Sequence, residues 1–481
     1  MNRYFPWLLI TTLLVQSCTL GPDFEAPKPE LGERWHTRQG EPGHSQPAEG
    51  ATEAAWWEGF ADPQLAALMR QVQAGNLDLQ RAASRLAQSR AARRSIAADE
   101  LPKVDGAAGY SRARNSSRGL SDPSGENGRH DYNLWSTGLG ISWEADLWGR
   151  VKRSVEAADA NVQVAEEDRR AVLVAILAET ARDYIQLRAL QNEQAVTRQN
   201  LEIARRTRAL THLRRDEGVA TELEVAQATA QVATIEAQLP ALQQGEARLI
   251  NALSRLMGLE PQALAGQLQA ATAIPVPPAS VPIGLPSELA RRRPDIRRAE
   301  ADLHAATAAI GMARADFYPR ISLSGNLGFQ ALQLSDLGSW GSHTLAVGPS
   351  LSVPLFEGGR LQGQLQLRES RQQEAALRYR QTVLDAWHEV DDALSAYQAG
   401  QRRRDSLRQA VEQSRLALAS ARQQYEQGTV DFLNVLTVQG ALLANEDALV
   451  DSTAAVSLAL VGLYGALGGG WEQALPEQAQ R

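Results

Sequence analysis

Residues 320–331 read Arg320-Ile321-Ser322-Leu323-Ser324-Gly325-Asn326-Leu327-Gly328-Phe329-Gln330-Ala331. Ile321, Leu323, Leu327 and Phe329 fall on one face of an extended chain, and Arg320, Ser322, Ser324, Asn326 and Gln330 fall on the other. That is the period of two expected of a strand with one apolar and one polar side. Residues 344–355 repeat it, with Leu345, Val347, Leu351, Val353 and Leu355 alternating with Thr344, Ala346, Gly348, Ser350 and Ser352. In the first half of the chain, over 132–144, Trp135, Leu139, Ile141 and Trp143 alternate with Ser136, Gly138, Gly140 and Ser142. A fourth segment, 104–115, carries a weaker form of the pattern. A stretch of about 10 residues suffices for a tilted strand to cross a bilayer, with apolar side chains outward and polar ones toward a lumen. A soluble sandwich with one wet face has the same alternation. The stretch from Asn115 to His130, rich in Ser, Gly, Asn and Asp, fits an external loop. Four strands do not close a barrel, for which about eight is the practical minimum. Several copies must then assemble, and a ring of three supplies twelve strands.

The strands belong to a module that occurs twice. Gly149-Arg150 and Gly359-Arg360 lie 359 − 149 = 210 residues apart, as do Gly218 and Gly428, and Gly258 and Gly468. Upstream the register is 217: Asp78 maps to Asp295, Leu86 to Leu303, Asp99 to Asp316 and Pro102 to Pro319. The extra seven residues therefore belong to a longer inter-strand loop in the first copy. The predicted organisation is a first repeat over 62–258, a Pro-rich linker over 259–286, a second repeat over 287–468 and a tail over 469–481. Each repeat reads as a helix, two strands and two helices.

From Val151 to Glu217 there is neither proline nor glycine, which predicts one helix over 151–217, about 100 Å long at 1.5 Å per residue. Its counterpart spans 361–427 and contains only Gly363 and Gly400. Leu407, Ala410, Val411, Ser414, Leu418, Ala421 and Tyr425 keep to a narrow stripe, as in a coiled-coil seam. Gly218 supplies a left-handed helix terminus, after which Thr221 and Glu224 make the capping-box pattern that starts a helix over 221–257. In the second copy Asp431 occupies the position of Thr221 and is itself a good N-cap for a helix over 431–465. Each half thus ends in a helical hairpin tip, turning at Gly218 and at Gly428-Thr429.

The net charge of −7 is mild and mixed along the helices, with no basic footprint for nucleic acid. Seven scattered histidines show no metal spacing, and Gly358-Gly359 follows an alternating strand, so neither a metal, a cofactor nor catalysis is expected. The only cysteine, Cys18, follows Arg3 and an apolar run from Trp7 to Val15, the order of a secretory signal over 1–17. Val15-Gln16-Ser17-Cys18 resembles a bacterial lipobox, whose cysteine is acylated and heads an anchored segment over 18–61. Thr19, where an Asp would signal inner-membrane retention, points to the outer membrane. The apolar run Leu449–Leu467 holds Asp451, Ser452 and Ser457 and reads as a buried terminal helix, so a membrane would be crossed by strands.

Several motifs, taken in order, carry a family likeness. They are Cys18-Thr19-Leu20-Gly21-Pro22-Asp23-Phe24; Trp56-Trp57 with Phe60 and Asp62-Pro63; Trp143-Glu144-Ala145-Asp146-Leu147-Trp148-Gly149-Arg150; and Arg292-Arg293-Pro294-Asp295-Ile296. Phe317-Tyr318-Pro319, Pro354-Leu355-Phe356-Glu357-Gly358-Gly359-Arg360 and Ala466-Leu467-Gly468-Gly469-Gly470-Trp471 complete them. The chain resembles the outer membrane factors, the TolC-like outer membrane efflux proteins, most of all the lipoprotein branch serving resistance-nodulation-division pumps. The resemblance implies a mainly α protein with a membrane β part: a homotrimer with a twelve-stranded barrel in the outer membrane, continuous with a periplasmic α-helical barrel. It implies a periplasmic adaptor docked at the hairpin tips and an inner-membrane pump, with this chain a passive conduit that contacts outer-membrane lipid. Gly149, Arg150, Gly359, Arg360, Pro102 and Pro319 become the strand–helix transitions.

Relatives carry aspartates around the closed aperture where this chain has Asn434 and Thr437; Asp431, Glu222 and Glu224 are the remaining carboxylates. Three-fold copies of a carboxylate at a constriction favour cations, and helix capping is the other reading of Asp431 and Glu224. Four methionines, Met1, Met69, Met257 and Met312, make no special case for copper or silver cargo. A conduit for type I protein secretion and a lipid-anchored coiled-coil spacer without a pore are the rival readings.

Overall fold

A computed structural model of the chain describes residues 19–28, 35, 46–48, 54–114, 116 and 131–471. The expected signal over 1–17, Cys18, nearly all of the expected external loop and the tail beyond Trp471 lie outside the described residues. In chain order the main elements are β1 (Gln46–Ala48), α1 (Pro63–Gly75), α2 (Leu77–Ala97), β2 (Lys103–Arg114), β3 (Asp131–Ala145) and α3 (Arg150–Asp216). There follow α4 (Glu222–Glu236), α5 (Gln238–Leu256), β4 (Ser280–Pro282), α6 (Pro294–Ala315), β5 (Arg320–Ala331), β6 (His343–Ser352), α7 (Arg360–Glu426) and α8 (Phe432–Ala466).

Two expected helices are each two. The 62–99 segment divides at Asn76, whose side chain accepts from Leu79 N at 2.9 Å to cap α2 and donates to Leu256 O at 2.7 Å. The break lets backbones cross: a Cβ on Gly75 would lie 2.5 Å from Met257 O, and one on Gly258 would lie 2.8 Å from Gly75 O. The 221–257 segment divides at Ala237, and Pro240 sits in the first turn of α5, where its missing N–H costs nothing. Neither Gly363 nor Gly400 interrupts α7, which runs 67 residues, the same length as α3.

The chain forms two compact units. The first comprises residues to 27, 85–165 and 298–379; the second comprises 28–84, 166–297 and 380 onward.

In the first unit the described strands form one antiparallel sheet in the order β2-β3-β5-β6. Its register decides which side chains share a face. Gly106 lies opposite Leu139, Leu139 opposite Leu327, and Leu327 opposite Leu345. The next row holds Val104, Ile141, Gly325 and Val347. The period-two faces of all four strands therefore merge into one apolar surface, and Leu139, Leu327 and Leu345 are 50, 56 and 70% exposed on it. The opposite face carries Asp105, Gly140, Asn326 and Ala346 in one row and Ala107, Gly138, Gly328 and Thr344 in another. A one-residue slip of any strand would move its apolar set to the polar face.

The second unit is helical and conventionally packed. Val411, Leu418 and Tyr425 recur every seven residues along α7 and are buried with Ala421, Phe432, Val435 and Leu442, as a coiled-coil seam requires. Leu407, Ala410 and Ser414, on the same stripe, are half-buried. Trp56 stacks on Tyr464 at 5.1 Å, and Asp62 caps α1 while accepting from Tyr184 Oη at 2.8 Å. The Pro-rich linker is more than an extended connector. It contains a one-turn helix, Ala265–Leu268, and β4, which pairs in parallel with β1. Arg188, 1% exposed, holds it by donating to Leu268 O and Ala270 O, and Ser457 donates to Pro275 O at 2.6 Å. Helix α8 is long and apolar enough to cross a membrane, yet Ser452, Val456, Ser457, Leu460, Val461, Leu463 and Tyr464 are buried inside the protein.

Candidate functional site

The hairpin tips are built by backbone rules. Gly218 and Gly428 adopt φ of +77° and +73°, the left-handed region that favours glycine, and each closes the last turn of a long helix. After Gly218, Thr221 Oγ1 accepts from Glu224 N at 3.3 Å and Glu224 Oε2 accepts from Thr221 N at 2.6 Å, a complete capping box. After Gly428, Thr429 Oγ1 donates to Gln424 O at 3.0 Å, and Asp431 Oδ1 accepts from Asn434 N at 3.0 Å. Asp431, Asn434 and Thr437 are three residues apart and all exposed, so they line one face of α8's first turns. Thr437 donates to Leu433 O within its own helix. Glu222 is exposed and paired with Arg215 at 3.4 Å. Of the five residues expected at an aperture, Glu224 and Asp431 thus both serve as helix caps.

One tip residue escaped the sequence reading. Arg214 reaches from the end of α3 to the end of α7, donating to Tyr425 O at 2.9 Å and Glu426 O at 3.3 Å, with its guanidinium 4.5 Å from the Tyr425 ring. Tyr425 O also accepts from Gly428 N at 3.0 Å, and a cation on the last carbonyls of a helix complements the negative end of its dipole. Its position four residues before Gly218 marks a last-turn cation, but nothing in the sequence says that the carbonyls belong to the other hairpin. Arg422 adds a second link, donating to Thr207 Oγ1 at 3.1 Å. Burial, and then the nearby Glu224 charge, push the Tyr425 phenol up.

The strand–helix transitions are asymmetric. Gly149 has φ of +73°, Arg150 makes two bonds to the Glu144 carboxylate at 3.0 and 2.9 Å, and Asp146 accepts from Lys152 N to cap α3. Trp148 donates to Pro319 O at 2.7 Å and packs on Tyr318. In the second copy Gly358 and Gly359 are both left-handed, Arg360 pairs with Glu357, and Leu355 and Phe356 are almost wholly exposed. Pro102, just before β2, is exposed.

The sheet of the first unit has one continuous exposed apolar face and one small polar face, the alternation that a membrane strand presents to lipid and lumen. The family model described as outer membrane efflux protein matches residues 68–259 and 285–469. The chain belongs to the outer membrane efflux protein family. It is 33% identical over 474 residues to the outer membrane protein OprJ of Pseudomonas aeruginosa, covering 97% of this chain and 95% of that protein. It is 30% identical over 462 residues to the cation efflux system protein CusC of Escherichia coli, covering 96% and 97%. The solved structure of the outer-membrane channel OprN superposes with a TM-score of 0.88 at 36% identity, covering 94% of this chain and all of that one. This efflux protein therefore resides in the outer membrane and is the exit channel of an efflux system. Its fold is that of the family's trimeric channels: a helical barrel continuous with a transmembrane β-barrel of twelve strands, four from each protomer. The family is one of channel proteins.

Proposed function

We propose that this efflux protein is a passive, non-enzymatic conduit for small toxic compounds or drugs, lipid-anchored through Cys18. An inner-membrane pump of the resistance-nodulation-division class supplies the driving force, and a periplasmic adaptor docks on the hairpin tips around Gly218, Thr221, Gly428 and Thr429. The observation that carries the reading is the merged apolar face of the four strands, which lipid alone would cover in a closed ring, while the small polar face lines an open lumen. A lipid-anchored spacer has no use for such a sheet. The lining offers a cargo little to bind, so selectivity resides in the pump. Met69 and Met257 are buried in the core, which argues against a thioether path for soft metal cations, although the relative CusC is named for cation efflux.

The test is to crosslink intact cells, purify the protein from outer membranes and identify what accompanies it by mass spectrometry. A proton-driven pump with its adaptor is the expected result. Recovery of an ATP-driven exporter would replace this reading with type I protein secretion.

A further inference from the structure

Arg112 and Arg114 lie on the apolar face of β2, in register with Asn133 and Asp131 of β3. Nearer the helix end of the strand the same face carries Val104, Gly106, Ala108 and Tyr110. The second repeat shows what these positions hold when lipid is their neighbour: the 217-residue offset places Phe329 at the equivalent of Arg112 and Ala331 at the equivalent of Arg114. Both arginines are exposed, and among the described residues neither guanidinium takes part in an ion pair or a hydrogen bond. Asp131, directly opposite Arg114, is also exposed and forms no ion pair with it among the described residues.

Position along the strand decides what the two cations meet. From Ile321 to Ala331 the strand β5 rises about 33 Å at about 3.3 Å per residue. Tilted by about 40°, that length spans the apolar band of a membrane barrel, about 25 Å tall. Ala331 shares its row with Trp135 and Tyr110, whose rings lie 4.3 Å apart, and Tyr110 Oη donates to Asn133 Oδ1 at 3.1 Å. Paired aromatic rings with polar tips are typical of the boundary between hydrocarbon and headgroups. Arg112 and Arg114 continue two and four residues past that row, toward the loop end of the β2–β3 hairpin and away from the end joined to the helices. The helices extend into the periplasm, so this is the outer leaflet.

We propose that Arg112 and Arg114 form a binding site for the phosphate group of an outer-leaflet lipid headgroup, one site per protomer, with the Tyr110–Trp135 pair as the shelf on which the lipid rests. A single arginine near a membrane surface can satisfy itself by reaching up to water. Two on one strand face, about 7 Å apart, set two planar forks around a common point and repel each other unless an anion lies between them. Each fork offers paired N–H donors that match two phosphate oxygens, and a phosphate is the anionic group that a bilayer presents at this height. The Asp131 carboxylate opposes an anion on the Arg114 side and holds the affinity down.

The test uses the assembled trimer in detergent, with lipid A bearing two phosphates as the probe and bound lipid counted by native mass spectrometry. The unmutated trimer should retain it, and the same glycolipid stripped of both phosphates should be lost. Arg112→Gln with Arg114→Gln should weaken retention at least about tenfold, whereas Asp131→Asn should strengthen it, a change of opposite sign that a merely loosened barrel does not produce. Should the double variant fail to assemble, Asp131→Asn and the phosphate-free glycolipid decide the matter on intact trimers. Equal retention of the phosphorylated and phosphate-free lipids overturns the proposal, as does equal retention by an assembled double variant. Displacement of the lipid by an equal concentration of inorganic phosphate would assign the arginines to a soluble anion and overturn the lipid site.

Discussion

Gly138 and Gly328 lie directly opposite each other in β3 and β5, and their backbones approach so closely that neither position has room for a side chain. A Cβ on Gly138 would lie 2.7 Å from Leu327 O, and one on Gly328 would lie 2.8 Å from Gly138 Cα. Both would point to the polar face, the concave side when the sheet curls into a barrel. Paired glycines at such a point let two strands coil sharply.

Gly328→Val should therefore splay the strands and abolish the compact, heat-modifiable form of the assembled barrel on gels. Gly325→Ala is the matched control. Its Cβ would meet Ala346 O at an ordinary 3.5 Å and lies on the apolar face, so assembly should be unchanged.

Arg214 bonds the two hairpins of one protomer. Arg214→Ala should remove charge-assisted hydrogen bonds of about 1.5–3 kcal/mol each at most, and less at this half-exposed site. The tips should loosen, raising the open fraction in bilayer recordings and the uptake of large antibiotics by intact cells. An unchanged conductance would mean that the link is dispensable for closure.

Asp431 offers a clean separation of charge from capping. Asp431→Asn keeps a good N-cap without the charge, whereas Asp431→Ala loses both and should cost about 1 kcal/mol of local stability. If the three carboxylates select ions, both variants lose cation preference in reversal-potential measurements. If Asp431 only caps, neither changes selectivity and Ala alone lowers the melting temperature.

Asp183 on α3 is half-buried near Glu179, and burial first, then that neighbouring charge, push its carboxyl from the usual 3.8 up to about 6. The folded form thus holds its proton more tightly than the unfolded chain. Its ionisation weakens folding as pH rises from about 4 through 6, and the full penalty is present above that. Asp183→Asn should raise the melting temperature at pH 7.5 and have no such effect at pH 4. A gain of equal size at both pH values would contradict the assignment.

Much was legible because it depends on local rules. The alternation over 320–331 and 344–352 follows from the two-residue period of an extended chain, although β6 stops at Ser352, short of the expected 355, ahead of Pro354, which has no N–H to donate; the left-handed turns at Gly218 and Gly428 follow from the absence of a Cβ. The capping box of Thr221 and Glu224 is likewise local. Two helix boundaries were missed although Asn76 and Pro240 marked them, one as an N-cap and the other as a first-turn proline.

The sequence by itself determined a duplicated module, strands with two faces and helices too long for a globule, since each arises from periodicity or from residues within a few positions of one another. Only the tertiary structure decided that the apolar rows of four strands align, that Gly138 meets Gly328, that Arg214 caps the other hairpin's helix and that the missing Cβ of Gly311 admits the Leu20 backbone. Within the sheet the β2–β3 and β5–β6 pairs are near in sequence, but the β3–β5 pairing, the Arg214 link and the Gly311–Leu20 crossing each join residues more than a hundred positions apart. Their energy comes from close approach and desolvated hydrogen bonds, which no local pattern of residues encodes.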